Sequence, residues 1–184
     1  MKSPFYFLIK PHKGDKYRTT MDIDGLDIIV NDNIDNHEHT NRVAEVVETP
    51  QDYKGIIEKG DLIVVHHNTF RVGRTQMGEM NNGIKHIFDD LYFTQDPYMV
   101  IKNGEMISID PYLFLERVPN NDEFSHKHLN ENVGIVAVNS YKQENELGLK
   151  KGDTIVYEDY RNYYFNVLGK EFIKIDTRDV CAKV

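Results

Sequence analysis

Ile57-Glu-Lys-Gly-Asp61-Leu-Ile-Val-Val65-His66 and Leu149-Lys-Lys-Gly-Asp153-Thr-Ile-Val-Tyr157-Glu158 are the two stretches whose likeness organises the chain. In each, a Lys-Gly-Asp triplet leads into branched aliphatic residues. Glycine takes the positive φ that other residues avoid, aspartate hydrogen-bonds the local backbone, and Ile and Val pack well on a pleated surface. Each stretch therefore reads as a turn into a core strand. One such turn is common among β proteins; two in register imply two related small barrels.

The likeness extends outward. Arg42-Val-Ala-Glu-Val-Val47 precedes the first turn and Gly134-Ile-Val-Ala-Val138 the second. Gly60 and Gly152 lie 92 positions apart, and the same spacing pairs Val43 with Ile135, Val46 with Val138, Ile57 with Leu149 and Val64 with Val156, so the copies superpose without a gap. Downstream, Met106-Ile-Ser-Ile-Asp110, running to Val118, resembles Phe172-Ile-Lys-Ile-Asp176, running to Val184, at a spacing of 66. The first copy is then 26 residues longer (92 against 66), and the excess falls in an insertion at about 73–97, a loop with one short helix or strand. The expected organisation is a barrel over 1–118 with a polar loop at about 13–40, a linker at 119–132 rich in Asn, Asp and His, and a partial second copy over 133–184 with neither first strand nor loop of its own.

Composition agrees with a mainly β, soluble chain. Eleven Tyr and nine Phe, with many Val and Ile, favour strands over helices. A net charge of −8 argues against a nucleic-acid backbone or an anionic membrane as main partner. The apolar run Phe5 to Ile9 is too short for a signal-peptide core or a membrane span, so a cytoplasmic location is expected. The single cysteine, Cys181, forbids an intrachain disulfide; its place in Val180-Cys181-Ala182 suits a buried structural thiol.

With these features assembled, the chain resembles the GroES co-chaperonin family, including its divergent bacteriophage versions. The residues that carry the resemblance are a first strand Tyr6-Phe-Leu-Ile-Lys10-Pro11, a polar stretch His12 to Asp24, Gly25 before the aliphatic Ile28-Ile29-Val30, and a second polar stretch Asn31 to Thr40. Then follow the strand Val43 to Val47, the Lys59-Gly60-Asp61 turn, the strand Leu62 to His66 and a last strand ending near Val118. The resemblance implies an antiparallel GroES-like β-barrel with a partial second copy and a homo-oligomeric ring, heptameric in the family. It implies a GroEL-type chaperonin as partner and an enclosed substrate protein as client; for a phage-encoded member the location is the host cytoplasm. It further implies that Ile28, Ile29 and Val30 dock on the chaperonin, with Gly25 before them. Leu26 and Asp27 stand between Gly25 and the patch, so Leu26 joins the candidate docking residues. Read without the family, an aliphatic island in a polar segment suits a motif that orders on binding, whereas Leu26, Ile28 and Val30 also fit one face of an ordinary strand.

Enzymatic signatures are missing from the sequence. Gly73-Arg-Thr-Gln-Met-Gly78 has phosphate-loop glycine spacing but continues with Glu79 where lysine is required, and neither Gly-x-Gly-x-x-Gly nor Gly-x-Ser-x-Gly occurs. His37-Glu38-His39 and His126-Lys127-His128 lie in polar sequence where histidine is usually solvated, and His66 and His67 would face opposite sides of a strand. No catalytic residue, metal or cofactor is expected. The competing reading is a structural or assembly ring protein with the same barrel, no chaperonin partner, and Ile28 to Val30 ordered and buried.

Overall fold

The computed structural model describes residues 2–17, 20–23, 26–29, 40–74, 76–118, 132–158 and 163–184. The chain forms two compact units, Met1–Lys102 and Asn103–Val184. The first contains β1 (Phe7–Pro11), β2 (Thr20–Ile23), β3 (Leu26–Ile29), β4 (Val43–Glu48), β5 (Leu62–Val64), β6 (Gly73–Arg74), β7 (Met80–Asn81), β8 (His86–Phe88), β9 (Leu91–Thr94) and β10 (Met99–Lys102). The second contains β11 (Glu105–Ser108), β12 (Tyr112–Arg117), β13 (Val133–Val138), the helix α1 (Tyr141–Leu147), β14 (Thr154–Tyr157), β15 (Tyr163–Val167), β16 (Lys170–Asp176) and β17 (Val180–Lys183). The protein is mainly β, with antiparallel pairing throughout the two large sheets, as expected.

Strand order shows the duplication directly. In the first unit it runs β10-β5-β4-β1-β9-β8, and in the second β17-β14-β13-β12-β16-β15. Registers repeat as well. Leu8 faces Glu48 and, past a β-bulge, Ile9 faces Val46, Lys10 faces Glu45 and Pro11 faces Ala44. Phe114 faces Val138 and, past a bulge at the corresponding place, Leu115 faces Val136, Glu116 faces Ile135 and Arg117 faces Gly134. A bulge adds a residue and a bend at one point of a strand, so its recurrence marks the same structural element.

These registers revise the sequence alignment in three places. Val46 corresponds to Val136, 90 positions on, not to Val138; the spacing of 92 holds for the turn and β5 but not for β4. The copies are therefore not gapless, because Val136 to Asp153 spans seventeen positions where Val46 to Asp61 spans fifteen. A two-residue slip keeps every strand side chain on its own face, so the hydrophobic pattern conceals it. Second, Ile9 faces Tyr92 and Leu115 faces Ile173, so β16 corresponds to β9, at a spacing of 81, and not to Met106–Asp110. The excess of the first copy, between β5 and β9, shrinks to 11 residues, and the expected insertion at 73–97 proves to include β8 and β9 of the main sheet beside the small β6–β7 pair. Third, β12 was read as the last strand of the first copy. It occupies the place of β1 in the second sheet, between β13 and β16, so the second copy does have a first strand. Consistent with that, the compact units divide after Lys102, whereas the sequence reading placed the first barrel's end at 118.

The core follows the same register. Leu113, Leu115, Val136, Leu149, Ile155, Tyr157, Ile173 and Ile175 form one buried cluster in the second unit. Their counterparts Phe7, Ile9, Val46, Ile57, Ile63, Val65, Tyr92 and Thr94 are all buried in the first. Each aliphatic side chain removed from water in this way contributes about 1.5–3 kcal/mol.

Both Lys-Gly-Asp turns have the geometry their residues favour. Gly60 and Gly152 take φ of 91° and 90°, the third position of a type II turn closed by Asp61 N–H to Glu58 O and Asp153 N–H to Lys150 O. Asp61 Oδ2 accepts the Glu58 N–H at 2.7 Å, and Asp153 Oδ2 accepts the Lys150 N–H at 2.7 Å. A lysine at the end of the last strand then reaches each carboxylate: Lys102 Nζ lies 3.1 Å from Asp61 and Lys183 Nζ 2.6 Å from Asp153. Turn, central strand and final strand are thereby joined in both units.

Helix α1 was not expected from the sequence, although its signals are local. Ser140 and Gln143 form a capping box, and Gly148 ends the helix at φ 67°. Gln143 is buried and triply used: its Oε1 accepts from Ser140 N–H (2.8 Å) and Ser108 Oγ (3.0 Å), and its Nε2 donates to Tyr112 O (2.7 Å).

Gln143→Ala should therefore cost about 2–4 kcal/mol in urea unfolding, since it leaves buried groups without partners; a loss under about 1 kcal/mol contradicts the assignment. The Lys183 ammonium, together with the Lys150 amide, holds the Asp153 carboxyl below its ordinary value. A carboxyl lowered by folding contributes stability above its unfolded value, and the contribution fades as pH falls through the folded one. Lys183→Met should raise the Asp153 titration followed by carboxyl NMR, and its stability deficit relative to the native chain should be present at neutral pH and vanish in acid.

Candidate functional site

The candidate docking residues fall on the connection between β1 and β4. Within it β2 and β3 form a hairpin, with Thr20 facing Ile29, Met21 facing Ile28, Asp22 facing Asp27 and Ile23 facing Leu26. The linking pair in the sequence, Asp24-Gly25, is among those most favoured for a two-residue hairpin link. Leu26, Ile28 and Ile29 thus lie on β3, while Gly25 and Val30 lie outside the described residues. Of the two readings the sequence offered, an island in a polar segment or one face of a strand, Leu26, Ile28 and Ile29 show strand pairing. The hairpin is a two-stranded sheet of its own. Two strands alone are marginally stable in water, so such an element gains most from a partner that covers it.

The two ends of the β1–β4 connection are held together in a neck. Tyr17 and Thr40 form an isolated antiparallel bridge, and the Asn41 N–H donates to Lys16 O at 2.9 Å. The Asn41 side chain locks both ends: Nδ2 donates to Asp15 O (2.6 Å) and lies 3.4 Å from His12 O, while Oδ1 accepts from Val43 N–H (3.0 Å). The Tyr17 hydroxyl accepts from Val72 N–H at 2.7 Å, tying the neck to the rest of the unit. Sequence reasoning missed Asn41 and Tyr17. Neither is apolar, neither sits in a motif, and only the fold brings residues 12–17 beside residues 40–43.

Other candidate sites resolve differently from the expectation. His66 is not on a strand, since β5 ends at Val64; it caps a short 3-10 turn over His67–Thr69, and its Nδ1 accepts from Asn68 N–H at 3.1 Å. The rings of His66 and His67 lie 4.0 Å apart, so they face each other rather than opposite sides. His37, His39, His126 and His128 lie outside the described residues, among which no group of three or more metal-ligating side chains gathers. Gly73 to Gly78 runs from β6 into the link to β7, not from strand to helix as a phosphate loop would. Cys181 is exposed, contrary to the expected buried thiol, because β17 is the last strand of its sheet and its outer residues gain no neighbour there. No helix among the described residues is long and apolar enough to cross a membrane.

Residues 125–184 match the protein-family profile described as Chaperonin 10 Kd subunit. No curated protein matches the chain. The matched span covers β13 to β17 of the second unit, whereas the aliphatic patch belongs to the first.

Asn41→Ala should open the neck, with amide hydrogen exchange at Lys16, Tyr17 and Asn41 accelerated at least tenfold relative to β4 and β5. Unchanged exchange at those amides would show that the side chain does not hold the two ends together.

Proposed function

We propose that this chain, whose residues 125–184 match the Chaperonin 10 Kd subunit model, acts as a GroES-type co-chaperonin and caps a GroEL-type chaperonin ring by docking Leu26, Ile28, Ile29 and Val30, preceded by Gly25, into an apolar groove. The observation that carries the reading is the duplicated strand register: the main sheet of the first unit repeats the strand order of the unit that contains the matched residues. The patch-bearing hairpin is a two-stranded sheet separate from the larger one, on a connection whose ends are joined by hydrogen bonds. Several weak identical contacts from one oligomeric ring give an avidity well beyond a single contact. The ordering cost of each segment weakens the individual contact and allows release. The cap encloses a client protein in the cytoplasm and leaves ATP chemistry to the chaperonin; the chain itself performs no catalysis.

One observation favours a second reading. The β2–β3 pairing gives Leu26 to Ile29 regular structure in the free chain, as a structural or assembly ring protein without a chaperonin would have.

ATP-dependent refolding of a denatured client by a GroEL-type chaperonin separates the two. The native chain should support refolding, and Ile28→Asp and Ile29→Asp should each lower the yield at least tenfold while far-UV circular dichroism stays unchanged. A native chain that neither binds nor assists would leave the structural-ring reading.

A further inference from the structure

We infer that each chain carries two barrel copies but only one docking segment: the β1–β4 connection docks, and its topological counterpart between β12 and β13 does not. The inference rests on the capping function proposed above. What identifies the counterpart is strand pairing. β12 pairs with β13 as β1 pairs with β4, in the same register and with a bulge at the same place, so residues 118–132 stand in the second unit where residues 12–42 stand in the first. The linker expected at 119–132 lies, apart from Asn132, outside the described residues; the strands before and after it, β12 and β13, both belong to the second unit.

The two connections differ in content and in length. The first places Leu26, Ile28, Ile29 and Val30 within five positions. The second has Phe124 and Leu129, separated by Ser125-His-Lys-His128 and preceded by Asn120-Asn-Asp-Glu123. Ordering costs about 1–2 kcal/mol per residue, and each buried aliphatic side chain returns about 1.5–3 kcal/mol. Four aliphatic residues in five positions can offset that cost, whereas two apolar residues across six cannot. Reach points the same way. An excursion out and back at about 3.3 Å per residue extends at most about 50 Å for the first connection and about 25 Å for the second. A ring of these chains would therefore engage its partner through as many segments as it has chains, not as many as it has barrel copies, with a correspondingly smaller gain from multivalency.

Sedimentation of the full chain with a GroEL-type chaperonin and ATP tests this. Phe124→Asp/Leu129→Asp should co-sediment within about twofold of the native chain, and Ile28→Asp/Ile29→Asp should lose at least tenfold. A tenfold loss in the Phe124/Leu129 variant, with its circular dichroism intact, overturns the inference while leaving the capping function standing. A native chain that fails to co-sediment removes both.

Discussion

A carboxylate that closes its own turn and then captures a lysine from the far end of the sheet is the contact on which this architecture depends. Asp61 and Asp153 each accept a backbone N–H within the turn and an ion pair from Lys102 or Lys183. Glycine at positive φ makes the turn, the branched residues after it make the central strand, and the ion pair ties the final strand to the start of the central one. The aspartate and lysine side chains are partly exposed, so the ion pairs by themselves contribute modestly. Their role is register. With turn and last strand fixed, the period-2 alternation decides which side chains enter the core, and the same eight positions are buried in each unit.

Where the chain announces itself in sequence, it does so through local physics. Lys-Gly-Asp, the aliphatic runs after it and the strands at Val43 and Gly134 were legible because their signals are short-range. The alignment of β4 with β13 went astray by two residues because a strand's pattern repeats every second position, and nothing in Val, Ile and Ala distinguishes one repeat from the next. The placement of β12 was illegible for another reason. Tyr112–Arg117 is apolar in either sheet, and only its hydrogen bonds to β13 and β16 say which one it joins. Helix α1 could have been read from Ser140, Gln143 and Gly148. The neck at Asn41 could not, since its contacts reach across the polar segment.

The functional argument joins two halves that each lack something. Residues 125–184, in the second unit, match the Chaperonin 10 Kd subunit model, and the candidate docking patch is not among them. The first unit carries the patch and lies outside the matched residues. Strand order, register, bulge and turn recur in both, so the first unit has the strand framework of the unit that contains the matched residues. The first unit is then that framework with a longer β1–β4 connection, a hydrogen-bonded neck at its root and a hairpin within it. The second keeps the framework and a short, polar connection. Division of labour between two copies of one fold needs no new fold, only a change in one connection, where chain length and composition are least constrained by the core.

Electron microscopy of the chain mixed with a GroEL-type chaperonin in the presence of ATP tests the central claim most directly. The account predicts ring-shaped density seated on the end of the chaperonin cylinder, lost with Ile28→Asp/Ile29→Asp. Bare cylinders beside separate rings of the native chain, at concentrations where a co-chaperonin would saturate, would contradict it.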